Sequence, residues 1–284
     1  MGSLLKGIDV VNSMKEKMIR ETEELKAKGV NPCLAIVRVG ERPDDISYER
    51  GAIKRCEGVG ITCKVNQLSE TISQQELTEV ILKLNNDPSV HGILLFRPLP
   101  KHLDENSIVN MVNPQKDVDC LNPVNLARVF AGDPEGFAPC TPEAVIEVLD
   151  YYNIPIEGSR IAVIGRSLVV GKPLSMLLLK RNATVTICHT RTKELETTCR
   201  NAEIVIAAAG KAKMVNSSFI SENAVVIDVG INVDEAGNLC GDVSFQEVSE
   251  KAGSITPVPG GVGTVTTSVL ANHVIRAART ISLG

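Results

Sequence analysis

The amino-acid sequence predicts an α/β protein of two α/β lobes around a cleft, the second a Rossmann-like parallel-sheet domain. Three observations carry that prediction. Short apolar, β-branched runs alternate along the chain with segments of helical periodicity. One such run, Ile161–Ile164, breaks at Gly165, and apolar residues resume at helical spacing from Leu174 to Leu179, which reads as strand, tight turn and helix. A length of 284 residues suffices for two separate cores.

The elements follow in order. Lys6 to Lys28 is charged with an apolar stripe (Val10, Val11, Met14, Met18, Leu25) and predicts an amphipathic helix. Cys33–Val39 reads as a buried strand, Pro43, Asp44 and Asp45 as a helix start, and Ile46–Gly58 as the helix. Ile61–Val65 is a strand, Ser73–Leu84 a helix with a Ser cap, Val90–Phe96 a strand and Asn106–Val112 a short helix. The Pro-rich passage Asn113–Pro142 is read as irregular, a domain crossover that also lines a site. A helix at Pro142–Tyr151 leads into the Gly165 turn. Strands then follow at Thr184–Ile187, Ile204–Ala208 and Val225–Val229. Thr256–Gly263 is a rigid Pro/Gly loop and Val265–Ile281 a final helix. The domains so defined are 1–141 with 265–284, and 142–264, and the cleft between them is where a small ligand is expected.

Composition excludes several classes. A net charge of −4 with scattered Lys and Arg gives no basic stripe for nucleic acid. No apolar run approaches a membrane span, and MGSLLKG is too short and too polar for a secretory signal. Eight cysteines without a CxxC pair read as reduced thiols of a cytoplasmic protein. His91, His102, His189 and His273 lack metal-ligand spacing, so no metal is expected.

The Gly165 turn is the sharpest local signal. A strand–turn–helix of this kind aims backbone amides and a helix N-terminus at phosphate. The match to GxGxxG is poor, and it is no P-loop: five residues separate Gly165 from Gly171 where that motif needs four, and Pro173 stands where a Mg²⁺ ligand should be. Taken alone, the turn is also compatible with an ordinary structural β–α connection. About twenty residues on, the next strand ends in Cys188, His189, Thr190 and Arg191, where an NAD site would place Asp or Glu. Arg166 and Arg191 suit a 2′-phosphate, which favours NADP; the alternative is two solvated loop arginines.

At this point the chain resembles the methylenetetrahydrofolate dehydrogenase/cyclohydrolase family of one-carbon metabolism. The pieces that carry the resemblance are the Tyr48 helix, HGILLFRPLP (91–100), PQKDVDCLNP (114–123), PCTP (139–142), IGRSLVVGKP (164–173), DVGIN (228–232), GDV (241–243) and TPVPGGVGTVT (256–266). The resemblance implies a tetrahydrofolate substrate, with Tyr48 against its p-aminobenzoyl ring and Asp119 on the pterin's donor edge. It also implies that Pro98, Pro257, Gly260 and Gly261 line the substrate site, and that Gly165, Arg166, Ser167, Thr190, Arg191 and Ile231 contact NADP. Without the family, Tyr48 reads better as half-buried packing and Asp119 as a turn former.

Departures from the family pattern matter as much. Members with both activities carry Lys four residues after the Tyr, where this chain has Ala52, and Gln in VQLPLP, where it has Phe96. Lys54 lies roughly 120° around the helix from Tyr48 and does not replace the lost amine. Asp45 stands for Ser, Cys120 for Gly and Thr264 for Pro. Oxidising the methylene bridge needs positioning, whereas hydrolysing the methenyl product needs acid–base help. The expectation is an NADP-dependent dehydrogenase with weak or lost cyclohydrolase activity, and, by resemblance, a homodimer through the nucleotide domain. Two alternatives stand beside it: a fully bifunctional enzyme, in which Arg50, Lys54 or Arg97 reaches the water, and a non-catalytic folate- and NADP-binding protein.

Overall fold

The computed structural model describes residues 2–284. In chain order the elements are β1 (Ser3–Leu4), α1 (Gly7–Ala27), β2 (Cys33–Val39), α2 (Pro43–Glu57), β3 (Thr62–Leu68), α3 (Gln74–Asn86), β4 (Gly92–Leu95), α4 (Glu105–Met111), α5 (Pro123–Ala131) and α6 (Cys140–Tyr151). There follow β5 (Arg160–Ile164), α7 (Gly171–Lys180), β6 (Thr184–Cys188), α8 (Leu195–Arg200), β7 (Ile204–Ala207), a 3-10 turn (Ser217–Phe219) and β8 (Val225–Asp228). The chain closes with β9 (Asn232–Val233), β10 (Leu239–Cys240), α9 (Phe245–Lys251), β11 (Ser254–Ile255) and α10 (Val262–Leu283).

The chain divides into two compact units. Ser13–Cys140 with Thr267–Gly284 holds a three-stranded parallel sheet in the order β3-β2-β4. Its central strand β2 is buried at every position, as the apolar run CLAIVRV requires, while the edge strand β3 is largely open to solvent. Ala35, Val37, Leu77, Ile81, Val90 and Ile93 form the middle of its core. Helix α3 starts at a complete Ser73–Glu76 capping box, and α4 at an Asp104 side chain that accepts the Ser107 N–H.

The other unit takes the residues up to Asn12 and Thr141–Thr266. Its six strands run parallel in the order β1-β11-β8-β7-β5-β6. The first long strand, β5, lies between β6 and β7, the arrangement of a doubly wound dinucleotide sheet. The division differs from the sequence expectation at the N-terminus, because β1 is the outermost strand of this second sheet. Two-residue strands carry no periodicity, so neither β1 nor β11 is visible in the sequence.

Other elements also differ from expectation. The passage read as irregular contains α5, which has an Asn122 cap, Pro123 in its first turn and Gly132 at φ +70° after its last residue. Those stop and start signals are present in the sequence but are masked by the surrounding prolines. Helices α8 and α9 and the β9–β10 hairpin are too short to show a period. Among the described residues no helix is long and apolar enough to cross a membrane.

Two buried carboxylates tie the loops of the second sheet together. Asp228 accepts the N–H groups of Gly230, Asp242 and Val243 at 2.9–3.0 Å. Asp242 accepts those of Ala209, Gly210 and Lys211 and the Asn232 amide. Burial pushes the Asp228 carboxyl up to about 6 against the opposing pull of its three N–H donors. A carboxyl raised in the folded state gives stability that is complete below its unfolded value and lost as pH rises through the folded one. Wild-type protein is therefore expected to lose about 3 kcal/mol relative to Asp228→Asn between about pH 4 and pH 7. Urea unfolding across that range checks it, and a constant difference contradicts it.

Candidate functional site

The strand β5 ends at Ile164, and the chain turns at Gly165 with φ +135°, a conformation that side chains rarely adopt. A Cβ there would lie 2.1 Å from the Ala208 carbonyl oxygen, and one on Gly171 would lie 2.1 Å from the Gly165 carbonyl oxygen. The turn is thus pressed between the end of β7 and the first residue of α7. Its Gly165 N–H donates to the Cys188 carbonyl at 2.9 Å, which fastens it to the end of β6. Beyond β6, His189 to Thr192 forms a turn closed by the His189 N–H on Thr192 Oγ1 and the Thr192 N–H on the His189 carbonyl, both 2.9 Å. Gly165, Arg166, Ser167, Thr190 and Arg191 therefore follow the carboxyl ends of two adjacent strands. Arg166, Ser167, Thr190 and Arg191 are exposed, and no carboxylate stands in the turn after β6.

In the same unit a cavity of about 230 Å³ is bounded by Asp228–Ile231, Leu239 and Pro257–Thr264. It brings Ile231, Pro257, Gly260 and Gly261 together, with Ile231 69% exposed at the rim. The Gly260 carbonyl accepts the Gly7 N–H at 2.8 Å. Thr264, in place of the family's Pro, donates its N–H to the Gly261 carbonyl at 3.1 Å, a bond that Pro lacks the hydrogen to make.

Tyr48 stands in the other unit, on α2. The buried face of that helix runs Asp45, Glu49, Ala52 and Cys56, and Tyr48 is half-buried beside it. The Phe96 ring, just past β4, meets the Tyr48 ring edge-on with centroids 5.8 Å apart at 83°. Ala52 is fully buried one turn along, whereas Arg50 and Lys54 are exposed. Arg97 pairs with Glu105 at 3.5 Å. Burial, with Cys140 and Asp119 nearby, raises the Tyr48 phenol well above its ordinary value, so it stays protonated.

Asp119 is half-buried, and its Oδ1 accepts the Cys140 N–H at 3.1 Å. Its neighbours are spent on structure. Lys116 Nζ donates to the Leu84 and Asp87 carbonyls, and Asp117 accepts the Leu121 and Asn122 N–H groups and the Asn125 amide. Cys120 sits at φ +57°, which accounts for the Gly of the family pattern. Pro98 lines a different and larger cavity, about 1070 Å³, with Arg42, Glu70, Lys101 and His102. Sequence reasoning missed that cavity and the Asp228–Asp242 knot. The motifs DVGIN and GDV are visible in the sequence, but their bonding to each other is not.

The packing at Gly165 yields a direct expectation. Gly165→Ala should weaken dinucleotide affinity at least about tenfold and lower Tm, because the added methyl meets backbone rather than a yielding side chain. Titration with NADPH by fluorescence checks it, and unaltered affinity contradicts it.

Comparison with known proteins places these features. Residues 5–119 match the tetrahydrofolate dehydrogenase/cyclohydrolase catalytic domain and residues 139–282 the NAD(P)-binding domain of the same family. The bifunctional protein FolD of Clostridioides difficile is 55% identical over 278 residues, 98% of this chain and 97% of that protein. The structure of the bifunctional FolD methylenetetrahydrofolate dehydrogenase/cyclohydrolase from Campylobacter jejuni is 41% identical, with TM-score 0.96 and 99% of each chain covered. The Trypanosoma brucei dehydrogenase-cyclohydrolase, solved with NADP and an inhibitor, is 32% identical with TM-score 0.92 and 98% of each chain covered. On matches that span both domains at such identity, this chain belongs to the tetrahydrofolate dehydrogenase/cyclohydrolase family.

Proposed function

We propose that the protein oxidises 5,10-methylenetetrahydrofolate to 5,10-methenyltetrahydrofolate with NADP, and that it hydrolyses the methenyl product weakly or not at all. The observation that carries this reading is the pair Ala52 and Phe96: a fully buried methyl and an aromatic edge packed on Tyr48, where bifunctional relatives by the family pattern hold an amine and an amide.

Gly165, Arg166, Ser167, Thr190, Arg191 and Ile231 are the residues that would hold NADP. The Gly165 cradle and the exposed guanidinium groups, with no carboxylate among residues 189–192, fit that group. When bound, NADP supplies the acceptor for the hydride that leaves the methylene carbon. The protein's own part is orientation. Tyr48 offers its ring to the p-aminobenzoyl group, with Phe96 holding that ring from the side. Asp119 has one oxygen on the Cys140 amide, and the other would receive the pterin's N–H groups. The substrate's ring nitrogens stabilise the cation, so no protein acid or base enters this step.

Hydrolysis is different. Water must be deprotonated as it attacks and a ring nitrogen must be protonated as the bridge opens, help usually worth about 10²- to 10⁴-fold. Neither Ala52 nor Phe96 can exchange a proton. Arg50 and Lys54 are exposed and the Arg97 guanidinium is paired with Glu105, which argues against a substitute. The second reading, a fully bifunctional enzyme, is favoured by the names of the bacterial relatives. The proposal extends to a cytoplasmic homodimer formed through the nucleotide unit, in keeping with eight cysteines spread along the sequence without a CxxC pair.

Purified protein is expected to reduce NADP with methylenetetrahydrofolate and to leave added methenyltetrahydrofolate near its uncatalysed rate of decay. Fast clearance favours the bifunctional reading, and no NADPH at all favours a binding protein. Ala52→Lys with Phe96→Gln should raise hydrolysis at least roughly tenfold; a flat response contradicts the assignment. Arg166→Glu should raise KM for NADP about tenfold or more while leaving that for NAD within about twofold. Parallel shifts would mean that Arg166 does not read the 2′-phosphate.

A further inference from the structure

Asp45 departs from the family pattern, and the structure gives it a specific partner. Its carboxylate takes two arms of the Arg42 fork, Nε on Oδ2 at 2.8 Å and Nη2 on Oδ1 at 2.7 Å. The same Nη2 donates to the Arg97 carbonyl at 2.8 Å. One guanidinium therefore fastens the first turn of α2 to the segment that follows β4. From the other side Glu105, in the first turn of α4, accepts the Leu99 N–H at 2.8 Å and pairs with the Arg97 guanidinium at 3.5 Å. The short stretch Arg97–Leu99 is held between two helices.

Those two fastened segments carry the aromatic contact. Tyr48 is three residues after Asp45 on α2, and Phe96 immediately precedes Arg97. A Ser at position 45 could not take both arms of an Arg fork. We propose that the Arg42–Asp45 pair is a positioning device for substrate affinity: it sets the Phe96 edge against Tyr48 and so fixes the ring face that the p-aminobenzoyl group meets. The inference rests on the reading of Tyr48 given under Proposed function. It goes beyond that reading by assigning a role to residues that touch no reacting atom.

The competing account is purely structural, an acidic residue favourably placed near a helix N-terminus. The two accounts differ in what they move. A helix-end effect lowers Tm and spares substrate specificity. A positioning role raises KM for the folate alone, because an ion pair whose arginine is 44% exposed adds little to stability.

The test compares Arg42→Ala, Asp45→Ala and the double variant of the full chain. Each single change is expected to raise KM for methylenetetrahydrofolate roughly fivefold, with kcat and KM for NADP within about twofold, and the double should be no worse than either single. Arg42→Lys, which keeps the charge and loses the fork, should recover less than half of the loss. Calorimetric binding of 5-formyltetrahydrofolate, a folate that is not oxidised, should weaken by the same factor. Unchanged folate KM and affinity, additive single effects, or a folate loss matched by NADP KM and Tm would each overturn the proposal. If the wild type binds 5-formyltetrahydrofolate but forms no NADPH, the dehydrogenase reading fails, and the binding series still decides the role of the pair.

Discussion

In a parallel sheet, a strand paired on both sides with strands that follow it in the chain marks a place where the carboxyl edge opens, and each unit of this chain has one. β5 is flanked by β6 and β7, and β2 by β3 and β4. Where the strand order reverses in this way, the loops after neighbouring strands part and leave room for a ligand. Gly165 occupies that position between β5 and β7, tight against Ala208. The larger cavity lined by Arg42 and Pro98 occupies it beyond β2 and β4. Loops after strands are thus where the chemistry-bearing residues collect, and the sheets are the frame that spaces them.

Loops so placed need anchoring, which falls to buried polar groups rather than to apolar contacts. Asp117 gathers the chain around Asp119 and the start of α5. Asp228 and Asp242 gather the segments 209–211, 228–232 and 241–243 beside Ile231 and the Pro257–Thr264 loop. Each carboxylate satisfies several backbone N–H groups at once, so removal of one strands several donors. Residues that depart from the family pattern have likewise found local partners: Phe96 the Tyr48 ring, Asp45 the Arg42 fork and Thr264 the Gly261 carbonyl. The departures therefore do not loosen the site. Each is held in place by a contact of its own, and the proposed reading asks for fixed geometry at hydride removal and for proton exchange at hydrolysis.

The long strands and helices are legible in the sequence because periodicity marks them: CLAIVRV is buried throughout, and the run IAVI ends where β5 does. The two-residue strands and the short helices α8 and α9 leave no such mark, and α5 is hidden among prolines, one of which opens it. The departures at Ala52 and Phe96 are legible through the family pattern. What these side chains touch is not, because the Tyr48–Phe96 contact and the Arg42 fork join residues far apart in the chain. Nor is the part played by Lys116 legible: within PQKDVDCLNP it is buried and donates to two backbone carbonyls.

The central claim is that hydride removal survives in a chain lacking the proton-moving pair. It is tested most directly by following both products in one time course, NADPH and methenyltetrahydrofolate, during oxidation of methylenetetrahydrofolate. The account predicts that methenyltetrahydrofolate accumulates mole for mole with NADPH, apart from its uncatalysed decay. NADPH forming without accumulation of the methenyl compound, and with 10-formyltetrahydrofolate appearing in step, would contradict it.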